Sequence, residues 1–357
     1  MWLDSPWMLP AGGLIIGFIM GFTARRLNFC TLSSLERHWY ANDSVALRMW
    51  ILAIAVAIAS TQLLQFFDVI DLGESFILRP SFNLPAAITG GVMFGIGMAL
   101  TGTCGFGALV RLGSGSLRSL VVVVAIGLAA LTTQRGILGY FREAYIEPLS
   151  INLSWAGSQS MAAIASSILG INANYLIATL IVSALLYWTF RSHEFRRSYR
   201  FITAGIIIGL CVTAGWLITY IMQQRTFDVV TLESASFVLP TGTLIMHLLA
   251  VYTSIPGYVV CLAPGVVVGA ALSASLTKDV RWEACDDASE FGRHLIGAML
   301  MGIGGVLAGG CTIGQGISAS STLAISAPVV FFSIMLGARM GLSWLLEGSA
   351  IGFIRGR

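Results

Sequence analysis

Charge is what this 357-residue sequence lacks most: Asp, Glu, Lys and Arg make up 10% of it while 56% is hydrophobic, against roughly a quarter charged in soluble globular proteins. With a mean hydropathy of +0.84, the chain cannot dress a water-facing surface, and an ordinary soluble domain is excluded. Histidine is scarce at four residues; of these, His247 and His294 lie near apolar segments and are poorly placed as axial haem ligands. The six cysteines contain no CxxC pair and fit no zinc or iron-sulfur spacing. No metal and no cofactor is therefore expected. No Asp or Glu falls in the middle of an apolar span, which removes the usual carboxylate relay for proton or sodium coupling. The opening residues MWLDSPWMLP carry Asp4 and no basic run, so insertion through the first helix is expected rather than a cleaved signal peptide. Short alternating stretches of a membrane barrel are missing as well. The net charge of +3 does not point to nucleic acid.

What is present is a series of apolar runs long enough to cross a bilayer of roughly 30 Å as helices. Nine spans are expected, at 8–24, 45–67, 84–103, 118–134, 174–190, 201–222, 257–276, 294–310 and 325–347. The expected fold is an all-α polytopic membrane protein. Placing the amino terminus outside puts fifteen of the twenty Lys and Arg residues on the cytoplasmic side and leaves Arg79, Arg135, Arg142 and Arg225 outside. The positive-inside rule favours that orientation, with the carboxyl terminus cytoplasmic and the chain in the inner membrane of a bacterium. Three stretches, 104–117, 243–252 and 311–322, are too short or too rich in glycine to span and too apolar for ordinary loops. They read as re-entrant elements, which need surrounding protein or a polar cavity.

Self-comparison shows a duplication. GGVMFGIGMALTGTCGFGALV (90–110) lies over GAMLMGIGGVLAGGCTIGQGI (297–317) at a constant offset, with Gly90, Gly95, Gly97, Gly102, Cys104 and Gly107 matching Gly297, Gly302, Gly304, Gly309, Cys311 and Gly314. Gly13 and Gly17 lie more weakly over Gly205 and Gly209, a register that sets Met222 opposite Cys30. The expected division is a first membrane repeat at 1–134, a connecting segment with one span at 135–200 and a second repeat at 201–357. In the topology above, the two copies enter the membrane from opposite sides. Inverted repeats with interrupted helices are a recurrent transporter plan, with the substrate site where the breaks meet.

Each copy runs apolar helix, glycines, cysteine, glycines, short apolar stretch. Glycine permits close packing and positive φ at the break, and the next half-helix aims unpaired N–H groups beside the thiol, an anion seat. The competing reading is that glycine-rich helices pack closely and cysteine fills space as a small hydrophobe. The candidate path residues are Cys104, Gly102 and Gly105 in the first copy and Cys311, Gly309 and Gly310 in the second, with Arg111 as the cation nearest an embedded element. Arg111 and Arg339 either attract an anion or snorkel to the interface. Cys211 and Cys261 read as packing residues, Cys285 as incidental among acidic neighbours, and His247 as a buried histidine with a local partner. Read from its position alone, Cys30 is an interfacial thiol.

The stretches FGIGMALTGTCGFGALVRLGSGSL, ARRLNFCTLSSLER, LPTG, KDVRW and LIGAMLMGIGGVLAGGCTIGQGIS resemble the YeeE/YedE sulfur-transport family over most of the chain. The resemblance implies an hourglass-shaped helical protein of about nine spans plus half-depth helices, with thiosulfate uptake as its activity. It also implies that Cys104 and Cys311 line the path, with Cys30 toward its cytoplasmic end, and that a cytoplasmic TusA-like sulfurtransferase receives the sulfur. For 135–173 it implies no role. The function expected is therefore transport of a small sulfur-containing anion, most simply thiosulfate, and not enzymatic. The alternatives are another sulfur or selenium compound, or a membrane thiol oxidoreductase or sulfurtransferase. A thiol enzyme needs an activated thiol, and neither motif supplies a neighbouring His, Lys or second Cys.

Overall fold

The computed structural model describes residues 7–169, 174–226, 230–249, 256–280, 282–283 and 288–348. Cys285 and residues 250–252 of the expected half-depth element lie outside them. The protein is an all-α polytopic membrane protein. Its first half contains α1 (Met8–Leu27), α2 (Thr31–Tyr40), α3 (Val45–Phe66), α4 (Leu84–Thr101), α5 (Gly105–Gly113) and α6 (Leu117–Arg135). Then come α7 (Ile137–Phe141), α8 (Met161–Leu169), α9 (Asn174–Phe190) and α10 (His193–Arg197). The second half contains α11 (Tyr199–Arg225), α12 (Leu239–Leu249), α13 (Tyr258–Leu276), α14 (Ala288–Leu307) and α15 (Ser326–Glu347), with a π-helical turn at Gly314–Ala319. Two short strands, β1 (Ser81–Phe82) and β2 (Ile151–Asn152), pair antiparallel.

All nine expected spans coincide with helices, and seven helical stretches among the described residues are long and apolar enough to cross a membrane. The two that fall short are α9, of 17 residues, and α14, whose first two turns carry Glu290, Arg293 and His294. Apolar side chains such as Ile15, Leu176, Leu180 and Phe332 stay exposed, as they must where the surrounding medium is lipid rather than water.

Helix ends follow the local sequence. Asn83 accepts a hydrogen bond from the Ala86 amide at 2.9 Å with Pro85 in the first turn, so α4 starts there. It stops at Gly102, whose φ of +69° is left-handed and natural for glycine. Pro240 sits likewise in the first turn of α12. That helix begins four residues before the expected 243, because a proline that cannot continue a helix can still open one.

Packing explains the duplicated glycines. A Cβ on Gly90 would stand 2.7 Å from the Gly304 carbonyl oxygen, and one on Gly297 would stand 2.8 Å from that of Gly97. Since Gly90 matches Gly297 and Gly97 matches Gly304, these are the same contact made twice across an antiparallel crossing of α4 and α14. Each helix then packs on the last helix of the other half: Gly95 meets Ile334 and Ala338 of α15, and Gly302 meets Ile126 and Ala129 of α6. The weaker glycine match works the same way, with Gly13 and Gly17 of α1 against Tyr258 and Leu262 of α13, and Gly205 and Gly209 of α11 against Met49 and Ala53 of α3. Close backbone approach is how membrane helices associate when burial of apolar surface gives no net gain. The two halves are interlocked rather than set side by side.

Of the parts of this architecture absent from the sequence reading, two adjoin the breaks. One is α2, an amphipathic helix that caps the exit of α1. The other is the extended stretch 230–238, which enters the helix bundle beside α11, where the Thr219 hydroxyl donates to the Glu233 carbonyl oxygen at 2.9 Å and the Ser234 hydroxyl to that of Val212 at 2.6 Å. The register pairing Cys30 with Met222 does not describe the structure. Met222 is inside α11, which has 27 residues against 20 in α1, whereas Cys30 is the N-cap of α2.

Candidate functional site: two cysteine-capped breaks

The two glycine-cysteine motifs form the same backbone device. Gly102 and Gly309 take left-handed φ values of +69° and +71°. Two residues later Cys104 and Cys311 begin short helical segments, and each thiol sulfur accepts the amide N–H of the residue three further on: Gly107 to Cys104 at 3.3 Å and Gly314 to Cys311 at 3.4 Å. Sulfur thus takes the place that a Ser or Asp oxygen fills at an ordinary N-cap. Both cysteines are 1% exposed.

Around these matched cores the surroundings differ. Arg111, which is exposed, donates from Nη2 to the Gly102 carbonyl oxygen at 3.0 Å; the Gly309 carbonyl accepts instead from Gln315 Nε2, also at 3.0 Å. In the first break a second thiol is present. A Cβ on Gly107 would lie 3.6 Å from Cys104 Sγ and 3.7 Å from Cys30 Sγ, and the Thr31 hydroxyl stands 4.0 Å from Cys104 Sγ. The structure therefore brings Cys30 and Cys104 together. Beside Cys311 runs the extended stretch 230–238: Phe237 packs against Phe106 with rings tilted 44° and 4.9 Å between centroids, and Ser318 donates to the Ala235 carbonyl oxygen at 2.8 Å. Gly105 and Gly310 flank the two cysteines, Gly310 with φ +159°.

Cavities approach from both ends. One, of about 370 Å³, is lined by Arg25, Arg111, Ser114, Ser116, Asp279 and Glu283. It lies where α1, α5 and α13 end and α6 begins, and an Arg25 to Asp279 ion pair at 2.7 Å marks its rim. At the opposite end of α6 and α11, two adjoining cavities of about 420 and 490 Å³ share Arg79, Arg142 and Gly309. The larger extends to Gly310, Gly314 and Ser318, the backbone that surrounds Cys311. It also holds Glu233, whose carboxyl burial lifts to about 7 against a hydrogen bond from Thr231 that pulls the other way.

Sequence reasoning missed Arg142, Gln159, Gln315, Thr31 and Glu233 at these places. Only Arg142 had a signal, as one of four cations left on the sparse side of the membrane. The remaining candidates fall outside the breaks. Cys211 is buried on α11 and Cys261 half-buried on α13 against α1. His247 Nδ1 pairs with the Thr243 carbonyl oxygen at 2.9 Å. Arg339 stacks over Trp39 at 5.0 Å and Tyr40 at 5.2 Å, tying α15 to α2. Among the described residues no group of three or more His, Cys, Asp and Glu is arranged to hold a metal.

The profile of the sulphur transport family matches residues 26–340. The chain belongs to that family. Its curated relatives include the "Thiosulfate transporter TsuA" of Spirochaeta thermophila, 25% identical over 339 residues covering 94% of this chain and 98% of the relative. The protein of the same name from Escherichia coli is 25% identical over 356 residues, with 94% of both chains covered. Membership makes this a sulfur transporter of the multi-pass membrane class, and the matched span takes in both breaks, Cys30 and Arg111.

Proposed function

We propose that the protein takes up a small sulfur-containing dianion, thiosulfate in the first instance, and passes it along Cys311, Cys104 and Cys30. The observation that carries this reading is the repeated N-cap: two buried thiols, each fixed by a backbone amide at a left-handed glycine break, with a polar cavity leading toward each end. The curated relatives, which bear the name thiosulfate transporter, support the choice of substrate.

The chemistry follows from the ion. Thiosulfate carries two charges and ends in a soft sulfur that holds water less tightly than oxygen does. An S–H group donates a weak hydrogen bond to that sulfur, whereas a thiolate would meet it with like charge in a low-dielectric setting. Three weak donors in series allow the ion to leave as readily as it enters, which is the condition for conduction. Because the Cys104 and Cys311 sulfurs already accept a backbone N–H, their own protons are free to point elsewhere. Gly102, Gly105, Gly309 and Gly310 keep side chains out of the passage, and Arg111 offers a positive exit at the 370 Å³ cavity. That mouth is assigned to the cytoplasm of a bacterial inner membrane and the Arg79 mouth to the outside, with the amino terminus outside and the carboxyl terminus inside. The chain is read as two repeats, 1–134 and 201–357, joined by 135–200. A TusA-like sulfurtransferase at the inner mouth would consume the delivered sulfur and draw uptake forward without a carboxylate relay.

The test is uptake of radiolabelled thiosulfate by vesicles containing the protein. Cysteine-dependent accumulation that disappears in Cys104→Ala is expected. Uptake unchanged in Cys104→Ala and in Cys311→Ala would reject the relay.

A further inference from the structure

Residues 142–159, to which neither the family resemblance nor the transport reading gives a task, are fastened across the outer mouth. The Leu153 amide donates to the Pro80 carbonyl oxygen at 2.7 Å, β2 pairs with β1, and the Asn83 side chain donates to the Ile146 carbonyl oxygen. On the far side, the Ile325 amide donates to the Gln159 carbonyl oxygen at 2.9 Å and the Met161 amide to that of Leu323 at 2.8 Å. The segment therefore bridges the residue pairs that precede α4 and α15, one from each half.

This anchoring places Arg142 and Gln159 on the wall of the 420 Å³ cavity, with Arg79 and Glu147. Arg142 Nη2 reaches Glu147 at 3.2 Å and Glu143 at 3.6 Å, but both carboxylates are more than half exposed and such pairs hold weakly in water. Its Nε is buried with no partner. Gln159, 6% exposed, has its amide oxygen buried and unpaired; a half-turn of that amide presents NH2 at the same point. An arginine donor with nothing to accept it is costly unless an acceptor arrives. The cavity holds on the order of ten waters by volume, ample for a partly hydrated tetrahedral ion.

We infer that this strap builds a capture site for a tetrahedral sulfur oxyanion, in which Arg142 Nε, Arg79 and the Gln159 amide bind the oxygen end before the ion reaches Cys311. The assignment rests on the outward orientation and the anion reading given above. Arriving dianions displace Glu147 from Arg142, so that residue acts as an internal competitor for the guanidinium. Recognition here is through oxygen and charge, whereas the breaks act on sulfur; the site should accept sulfate and thiosulfate alike.

Calorimetric titration of thiosulfate and of sulfate into the purified full-length protein tests this, using a Cys30→Ser, Cys104→Ser, Cys311→Ser background that lacks the relay thiols. Binding of both ions should persist there, weaken about tenfold with Arg142→Gln, recover in part with Arg142→Lys, and tighten with Glu147→Gln. Loss of all binding in the serine background, or equal affinity in Arg142→Gln and Glu147→Gln, overturns the capture site. Vesicle uptake reports separately on the relay: intact binding without uptake by the wild-type protein condemns the transport reading and leaves the strap in place.

Discussion

The first and second breaks share a backbone and differ in chemistry. Left-handed glycine, capping thiol and amide three residues on are reproduced within 2° in φ and 0.1 Å in length. Yet the first has a second thiol, a hydroxyl at Thr31 and an arginine on the glycine carbonyl, while the second has a glutamine there, glycine in place of Thr103 and a π-helical turn. The two breaks share a backbone frame, and the side chains around it differ. In the orientation proposed above, a dianion would meet the amide-lined break first and the arginine-lined one last.

The largest effect should come from removing what the breaks have in common. Cys104→Ala with Cys311→Ala is expected to reduce thiosulfate uptake to the vesicle background, while the apparent melting temperature falls only by the loss of two weak sulfur caps. Next comes the glycine crossing of α4 and α14. In Gly97→Val a branched side chain is forced onto the Gly297 carbonyl oxygen and Met301. Overpacking of this kind costs about 1–3 kcal/mol, read as a lower melting temperature, and Gly304→Val should match it if the contact is the same one made twice.

Smaller changes probe what differs. Arg111→Gln gives the first break the amide chemistry of the second, and uptake should fall about two- to fivefold, the scale of an exposed charged contact. The smallest expected effect concerns pH. With Glu233 titrating near 7, the vestibule it shares with Glu74, Arg79 and Arg142 gains a negative charge as pH rises through that value. Uptake at low thiosulfate should therefore be better below pH 7 than above, and Glu233→Gln should flatten the profile at its acidic level.

The sequence made the frame legible because membrane helices announce themselves by length and apolarity, and because the matched glycines sit where two backbones touch. The cysteines were legible for the same reason: they lie in register with those glycines. Cys30 was legible only through the family resemblance, since the helix it caps lies in a polar amphipathic stretch without a partner in the repeat register. The extended stretch 230–238 was not legible: its burial of Leu232, Phe237 and Val238 accompanies hydrogen bonds to α11 that no periodicity foretells. Arg142 and Gln159 are functional candidates only because β1 and β2 pair across 68 residues of chain, between Phe82 and Ile151 and their neighbours.

The central claim is that Cys104 and Cys311 face one passage occupied by the substrate. Two single-cysteine proteins, one retaining Cys104 and the other Cys311, should each react with a small water-soluble thiol reagent, and thiosulfate should slow both reactions in a saturable way. If neither thiol reacts from either face of the membrane, or if thiosulfate leaves both rates unchanged, the two cysteines do not share a path and the account is wrong.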